Sequence, residues 1–133
     1  MTDQGRSRTD TLVLDMPLRV HPRTPTDARH AADEVLGSVA SSTRQCFLLL
    51  VTELVTNAVV HGRPPFSMRM LENHERLRIE VADTAARHPV VRDPEPHEPT
   101  GRGMVLVAAM ADDWGVQDVP TGPGKVVWAE LRR

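Results

Sequence analysis

The chain reads as an α/β two-layer sandwich, with a mixed, mostly antiparallel sheet covered on one face by helices. Two observations predict this class. Short segments that alternate apolar and polar residues with period two (FSMRML at 66–71, LRIEVAD at 77–83) stand beside longer stretches with helical spacing. Their order is strand, two helices, two strands, loop, helix, two strands, and strands split by helix pairs place the helices together on one side of the sheet.

The elements follow in order. Residues 1–10 are polar and are expected as a flexible tail. TLVLDMPL, 11–18, makes a strand that Pro17 and the turn-rich HPRTPTD bring to an end. Thr26 or Asp27 caps a first helix running through ARHAADEVLGSVA, with Ala31, Val35, Leu36 and Val39 as its apolar side. Thr43 is a candidate cap for the second helix, Gly62 its stop, and Pro64 and Pro65 forbid continuation. The two alternating strands then follow, joined at Glu72–Glu75. ARHPVVRDPEPHEPTGRG, with four prolines between Pro89 and Pro99, is a long irregular loop of the kind that carries function or disorder. MVLVAAMADD resumes a helix. WGVQDV and KVVWAEL are strands, and TGPG at 121–124 is the hairpin turn between them.

With 133 residues, 40% apolar and 26% charged, the chain has the size and composition of one soluble domain, taken as 11–133. A net charge of −2 gives no pull toward nucleic acid or an acidic membrane. Cys46 is the only cysteine and reads as a small core residue. No apolar run suggests a membrane span and the start lacks a signal peptide's apolar stretch, so a cytoplasmic location is expected. Of 16 basic residues only Lys125 is not arginine, a bias that by itself points to no chemistry.

Three groups of residues carry candidate chemistry. In CFLLLVTELVTNAVVHG, 46–62, Glu53, Asn57 and His61 recur every four residues amid Phe47, Leu49, Leu50, Val51, Leu54, Val55, Ala58, Val59 and Val60. A step of four turns a helix by about 40°, so the three make one slowly winding polar stripe on a core helix. Asn57 offers a carboxamide oxygen to a hard cation such as Mg²⁺, and Glu53 can serve as a general base for a hydroxyl or water. The stripe can equally be a hydrogen-bonded patch that holds a loop, and His61 fits that structural role best. Next, Thr100-Gly101-Arg102-Gly103 lies directly before a helix, where free backbone amides and close approach suit phosphate. An ordinary loop and cap would look the same. Third, Asp83 ends an alternating strand, where a carboxylate can accept from an exocyclic amine such as adenine's, or simply close a turn. No Walker A loop is present, because Gly124-Lys125 is followed by Val126 and a strand. A base acceptor, a cation-holding helix and a phosphate cradle are together the parts of a nucleotide site.

These segments resemble the single-domain ATPases related to histidine kinases, specifically the bacterial anti-sigma-factor serine/threonine kinases. ELVTNAVVHG, 53–62, is similar to the N box of that family, and VADTA, 81–85, stands where its first glycine box lies. GRGMVLV, 101–107, is similar to the second glycine box, and GKVVWAEL, 124–131, to the closing strand. The resemblance spans about residues 11–132 and implies the Bergerat ATP-binding fold, with residues 85–100 as the ATP lid. It implies ATP and Mg²⁺ as cofactors, with Asn57 holding Mg²⁺ via the phosphates and Glu53 as catalytic base. Asp83 would read adenine, and Gly101, Arg102, Gly103 and Met104 would serve the phosphates. It further implies an anti-anti-sigma (STAS-type) protein and a sigma factor as partners, with no direct contact to nucleic acid or membrane. A homodimer through the edge carrying the first strand is a further candidate. The alternative is a partner-switch module that binds nucleotide weakly or performs no transfer. Two departures bear on this choice: Asp83-Thr84-Ala85-Ala86-Arg87 lacks both glycines of the family's first box, and Val126 stands where many relatives carry Thr. The adenine side is weakened while the phosphate side is intact.

Overall fold

A computed structural model describes residues 6–85, 102–120 and 122–133. Five strands and three helices alternate as β1 (Thr11–Leu18), α1 (Thr24–Val35), α2 (Ser41–His61), β2 (Phe66–Glu72), β3 (Arg76–Asp83), α3 (Arg102–Met110), β4 (Asp113–Asp118) and β5 (Lys125–Arg132). The element order is the one the sequence predicts. The strands form one sheet in the order β1-β2-β3-β5-β4, and all of its pairings are antiparallel. Hairpin connections between β2 and β3 and between β4 and β5 make that pairing the direct solution. Gly122 and Gly124 take positive φ between β4 and β5, in keeping with a tight turn there; Thr121 lies outside the described residues.

Alternation sends Leu77, Ile79 and Val81 of β3 and Val127, Ala129 and Leu131 of β5 to one face, where they join Phe47, Leu50, Val51, Leu54 and Val55 of α2 in the core. The helix α2 is the central one, packed against α1 and α3 as well as the sheet. That position explains its composition. Ser41–His61 has the length and hydropathy of a weak membrane span, contrary to the expectation that no run approaches one. Seven of its residues are nonetheless buried in the core, and burial within the protein accounts for the apolarity. Leu49 and Val60, expected among the core residues, are exposed at 38% and 49% because α2 turns one line of its surface outward between its neighbours. Cys46 packs at the core's margin, where burial and then the charge of Asp112 raise its thiol pKa.

The helix caps differ from expectation. The first helix starts at Thr24, before Thr26 and Asp27, and ends at Val35, before Leu36 turns extended. Pro25 pre-sets φ for its first turn, and the Thr24 hydroxyl donates to Arg19 O at 2.7 Å. Asp27 then sits within that turn, where its charge suits the helix dipole. Fully buried Ala28 and Ala32, with Leu36, are the deepest residues of this segment, while Ala31, Val35 and Val39 are only partly covered. Thr43 lies inside α2, whose start at Ser41 carries no side-chain cap.

The sheet's other face is polar yet closed. Arg78, Glu80, Trp128 and Glu130 are 1–6% exposed there. The guanidinium of Arg78 lies 4.3 Å from the Trp128 ring centre and pairs with Glu80 at 2.8 Å and Glu130 at 3.1 Å. Arg6 also donates to Glu80 at 2.8 Å, and Asp10 accepts from Asn73 at 2.7 Å. Residues 6–10, expected as the end of a tail, are thereby tied to this face.

Candidate functional site

The stripe on α2 runs toward the end of the sandwich where β3 finishes and β5 begins. Glu53 and Asn57 are half-buried and His61 is exposed. Among the described residues neither the Glu53 carboxyl nor the Asn57 carboxamide has a hydrogen-bond partner. Burial raises the Glu53 pKa, since removing the carboxylate from water disfavours its charged form. A half-buried amide and a carboxyl of raised pKa, one helical turn apart and engaged with no neighbour among the described residues, are candidates for a functional site.

Asp83 closes β3 and lies beside the end of α2. A Cβ built on Gly62 would sit 2.6 Å from Ala58 O and 2.8 Å from both Cγ and Oδ2 of Asp83. Gly62 is thus the expected helix stop for an unexpected reason. Its φ of −85° is open to any residue, and what requires glycine is the close approach of Asp83. Gly124 meets both demands, with φ near +134° and a built Cβ only 3.1 Å from Asp83 O.

The segment after Asp83 is pinned without glycines. Thr84 donates from its amide to Arg63 O at 2.9 Å and from its hydroxyl to Pro64 O at 2.9 Å. The Ala85 amide donates to Asp83 Oδ1 at 2.7 Å, a local turn of the Asx kind. No described residue other than glycine has positive φ, so Thr84 and Ala85 hold this turn without left-handed strain.

Sequence reasoning missed Lys125. It is the direct antiparallel partner of Asp83 in the β3–β5 register, on the helix-facing side. Its ammonium lies 3.0 Å from each Asp83 oxygen, with the two side chains 3% and 1% exposed. Two signals were present: Lys125 is the only lysine, and it shares the inward period of Val127, Ala129 and Leu131.

On the phosphate side, Arg102 and Gly103 form the first turn of α3, and Met104 is buried beneath it. Gly101 and the lid positions 86–100 lie outside the described residues. Among the described residues no cluster of three or more His, Cys, Asp or Glu forms a metal cage, so a cation here would rest on single protein oxygens. A cleft of about 600 Å³ lined by His74, Asp112, Asp113 and Arg132 opens at the opposite end of β3 and β5, away from these groups.

Residues 18–131 match the family described as the histidine kinase-like ATPase domain. The chain belongs to that family. Membership implies ATP binding, and the five-stranded antiparallel sheet with three helices is consistent with that family's fold. A comparison with curated proteins gave no match. Asn57, its amide unengaged among the described residues, is open to a cation or a polar ligand. The base side does not fit as it stands, because Asp83 already holds an ammonium.

Proposed function

We propose that this chain is an anti-sigma-factor serine/threonine protein kinase, which binds ATP with Mg²⁺, sequesters a sigma factor and phosphorylates a STAS-type anti-anti-sigma protein. The observation that carries the reading is the pair of polar groups on α2, Glu53 and Asn57, unengaged among the described residues, in a chain of this ATPase family. Asn57 would hold Mg²⁺ through its carboxamide oxygen, and the first turn of α3 with Arg102 and Gly103 would face the phosphates. The metal would supply neutralisation of the phosphate charge. Glu53, its pKa raised by burial, is suited to take the proton of an incoming serine hydroxyl. A phosphate placed on the antagonist's contact surface would then break that complex by charge. Action in the cytoplasm, without membrane or nucleic-acid contact, and as a homodimer, belongs to the same proposal.

The second reading, a partner switch without phosphoryl transfer, is favoured by one observation: the engaged state of Asp83. Calorimetric titration with Mg-ATP and a transfer assay on the antagonist encoded with the chain separate the two. The kinase reading expects Asn57→Ala to weaken Mg²⁺-dependent binding about tenfold or more, the loss of one charge-assisted contact. It expects Glu53→Gln to bind normally and lose transfer. Binding without transfer by the unaltered chain leaves the switch reading; no binding of Mg-ATP overturns the kinase.

A further inference from the structure

We propose that Lys125 occupies, from within the chain, the acceptor that a purine amine would use, so that nucleotide is held by its phosphates and the base goes unread. This rests on the nucleotide site assigned above and concerns how that site treats the base. The Asp83 carboxylate is filled on every accessible side. The Lys125 ammonium lies 3.0 Å from both oxygens, the Ala85 amide donates to Oδ1 at 2.7 Å, and Oδ2 faces Gly62 at a distance where even a methyl would clash. Lys125 also reaches Ala85 O at 3.5 Å, which ties the ammonium to the backbone beyond the strand.

Exchange with a nucleobase is unfavourable. An amine of adenine is a neutral donor, whereas the ammonium makes charge-assisted bonds about twice as strong. Displacing the ammonium would also separate a buried ion pair, because the Lys125 and Asp83 side chains are 3% and 1% exposed. The residue type fits this duty. In a chain whose other basic residues are all arginine, the residue paired with the buried Asp83 carries a compact ammonium rather than a planar guanidinium fork.

Two measurements on the full chain test this. Lys125 carries the only side-chain amine, so acetylation by a water-soluble N-hydroxysuccinimide ester, read by peptide mass spectrometry, reports on it alone, with the α-amine as internal reference. Normalised to the α-amine, Lys125 should label at least roughly 100-fold more slowly in the folded chain, with and without Mg-ATP, than in the same chain unfolded in urea, because a paired and buried ammonium is protected. In parallel, calorimetry compares Mg-ATP with Mg-ITP, which has a carbonyl oxygen in place of the exocyclic amine. The unaltered chain should bind the two within about threefold. Lys125→Thr should bind ATP roughly 10-fold to 100-fold tighter and leave ITP unchanged, the value of one amine bond to a freed carboxylate. If Lys125→Thr does not fold, labelling and the ATP-to-ITP ratio of the unaltered chain decide the matter. Labelling as fast as in the unfolded chain overturns the inference. So does a tenfold preference of the unaltered chain for ATP, which leaves the nucleotide site standing. Failure of both proteins to bind either nucleotide overturns the site and the inference together.

Discussion

Replacing Gly62 by alanine separates close packing from helix termination. The added Cβ would lie 2.6 Å from Ala58 O and 2.8 Å from Asp83 Oδ2. The first is backbone and the second is held by Lys125, so neither yields cheaply. The backbone itself does not object, since φ −85° and ψ −171° suit alanine. The whole cost is therefore steric. Overpacking typically costs about 1–3 kcal/mol, and part of a buried ion pair is disturbed as well, giving about 2–4 kcal/mol. For 133 residues the unfolding entropy is about 0.28 kcal/mol/K, so the melting temperature should fall by about 7–14 °C. Gly37→Ala is the control, because nothing lies within 4 Å of its Cβ position and it should be neutral or stabilising by up to about 1 kcal/mol. Calorimetric melting of the three proteins, with acetylation of Lys125 as a second readout, measures both effects. A Gly62→Ala melting temperature within about 2 °C of the parent, where surface changes fall, would refute the reasoning.

Other outcomes follow from the same contacts. Arg78→Ala removes the buried guanidinium from Glu80, Glu130 and Trp128 while Arg6 and Arg76 still pair with the two carboxylates, and should cost about 1–3 kcal/mol in urea unfolding. Burial alone would raise the Glu80 pKa, but hydrogen bonds from Arg6 and Arg78 and their charges outweigh it and lower it below the ordinary 4.5. Its contribution to stability is then present above pH 4.5 and lost as pH falls through the lowered folded value, and Glu80→Gln should flatten that part of a melting-temperature profile. Glu53 has the opposite sign: its raised pKa favours the protonated form in the fold, so its penalty grows as pH rises through that value. Glu53→Gln should therefore raise the melting temperature at pH 8 relative to pH 4 while removing any phosphoryl transfer, a trade of stability for function.

Much of the fold was legible because its signals are local. Period-two alternation placed β2, β3 and β5 within a residue of their observed ends, and Gly-Pro punctuation marked the last hairpin. The α1 boundaries were misjudged because Pro25 and an extended Leu36 outweigh the polar residues that offer themselves as caps. At the site, Glu53 and Asn57 were legible as polar groups on an apolar helix, and the structure places them half-buried as that spacing implies. Lys125 was passed over because its significance depends on what lies across the sheet from it.

Sequence alone determined the elements, their order, the polar stripe of α2 and the likeness to a family of ATPases. These depend on neighbours a few residues apart, where periodicity and turn chemistry act. Tertiary structure decided the state of the base side. Asp83 and Lys125 are 42 residues apart and meet only because the β3–β5 register aligns them on the buried face beneath the end of α2. There, out of water, a carboxylate and an ammonium have few stable choices but each other, and that pairing gives the carboxylate expected to read adenine a partner from within the chain.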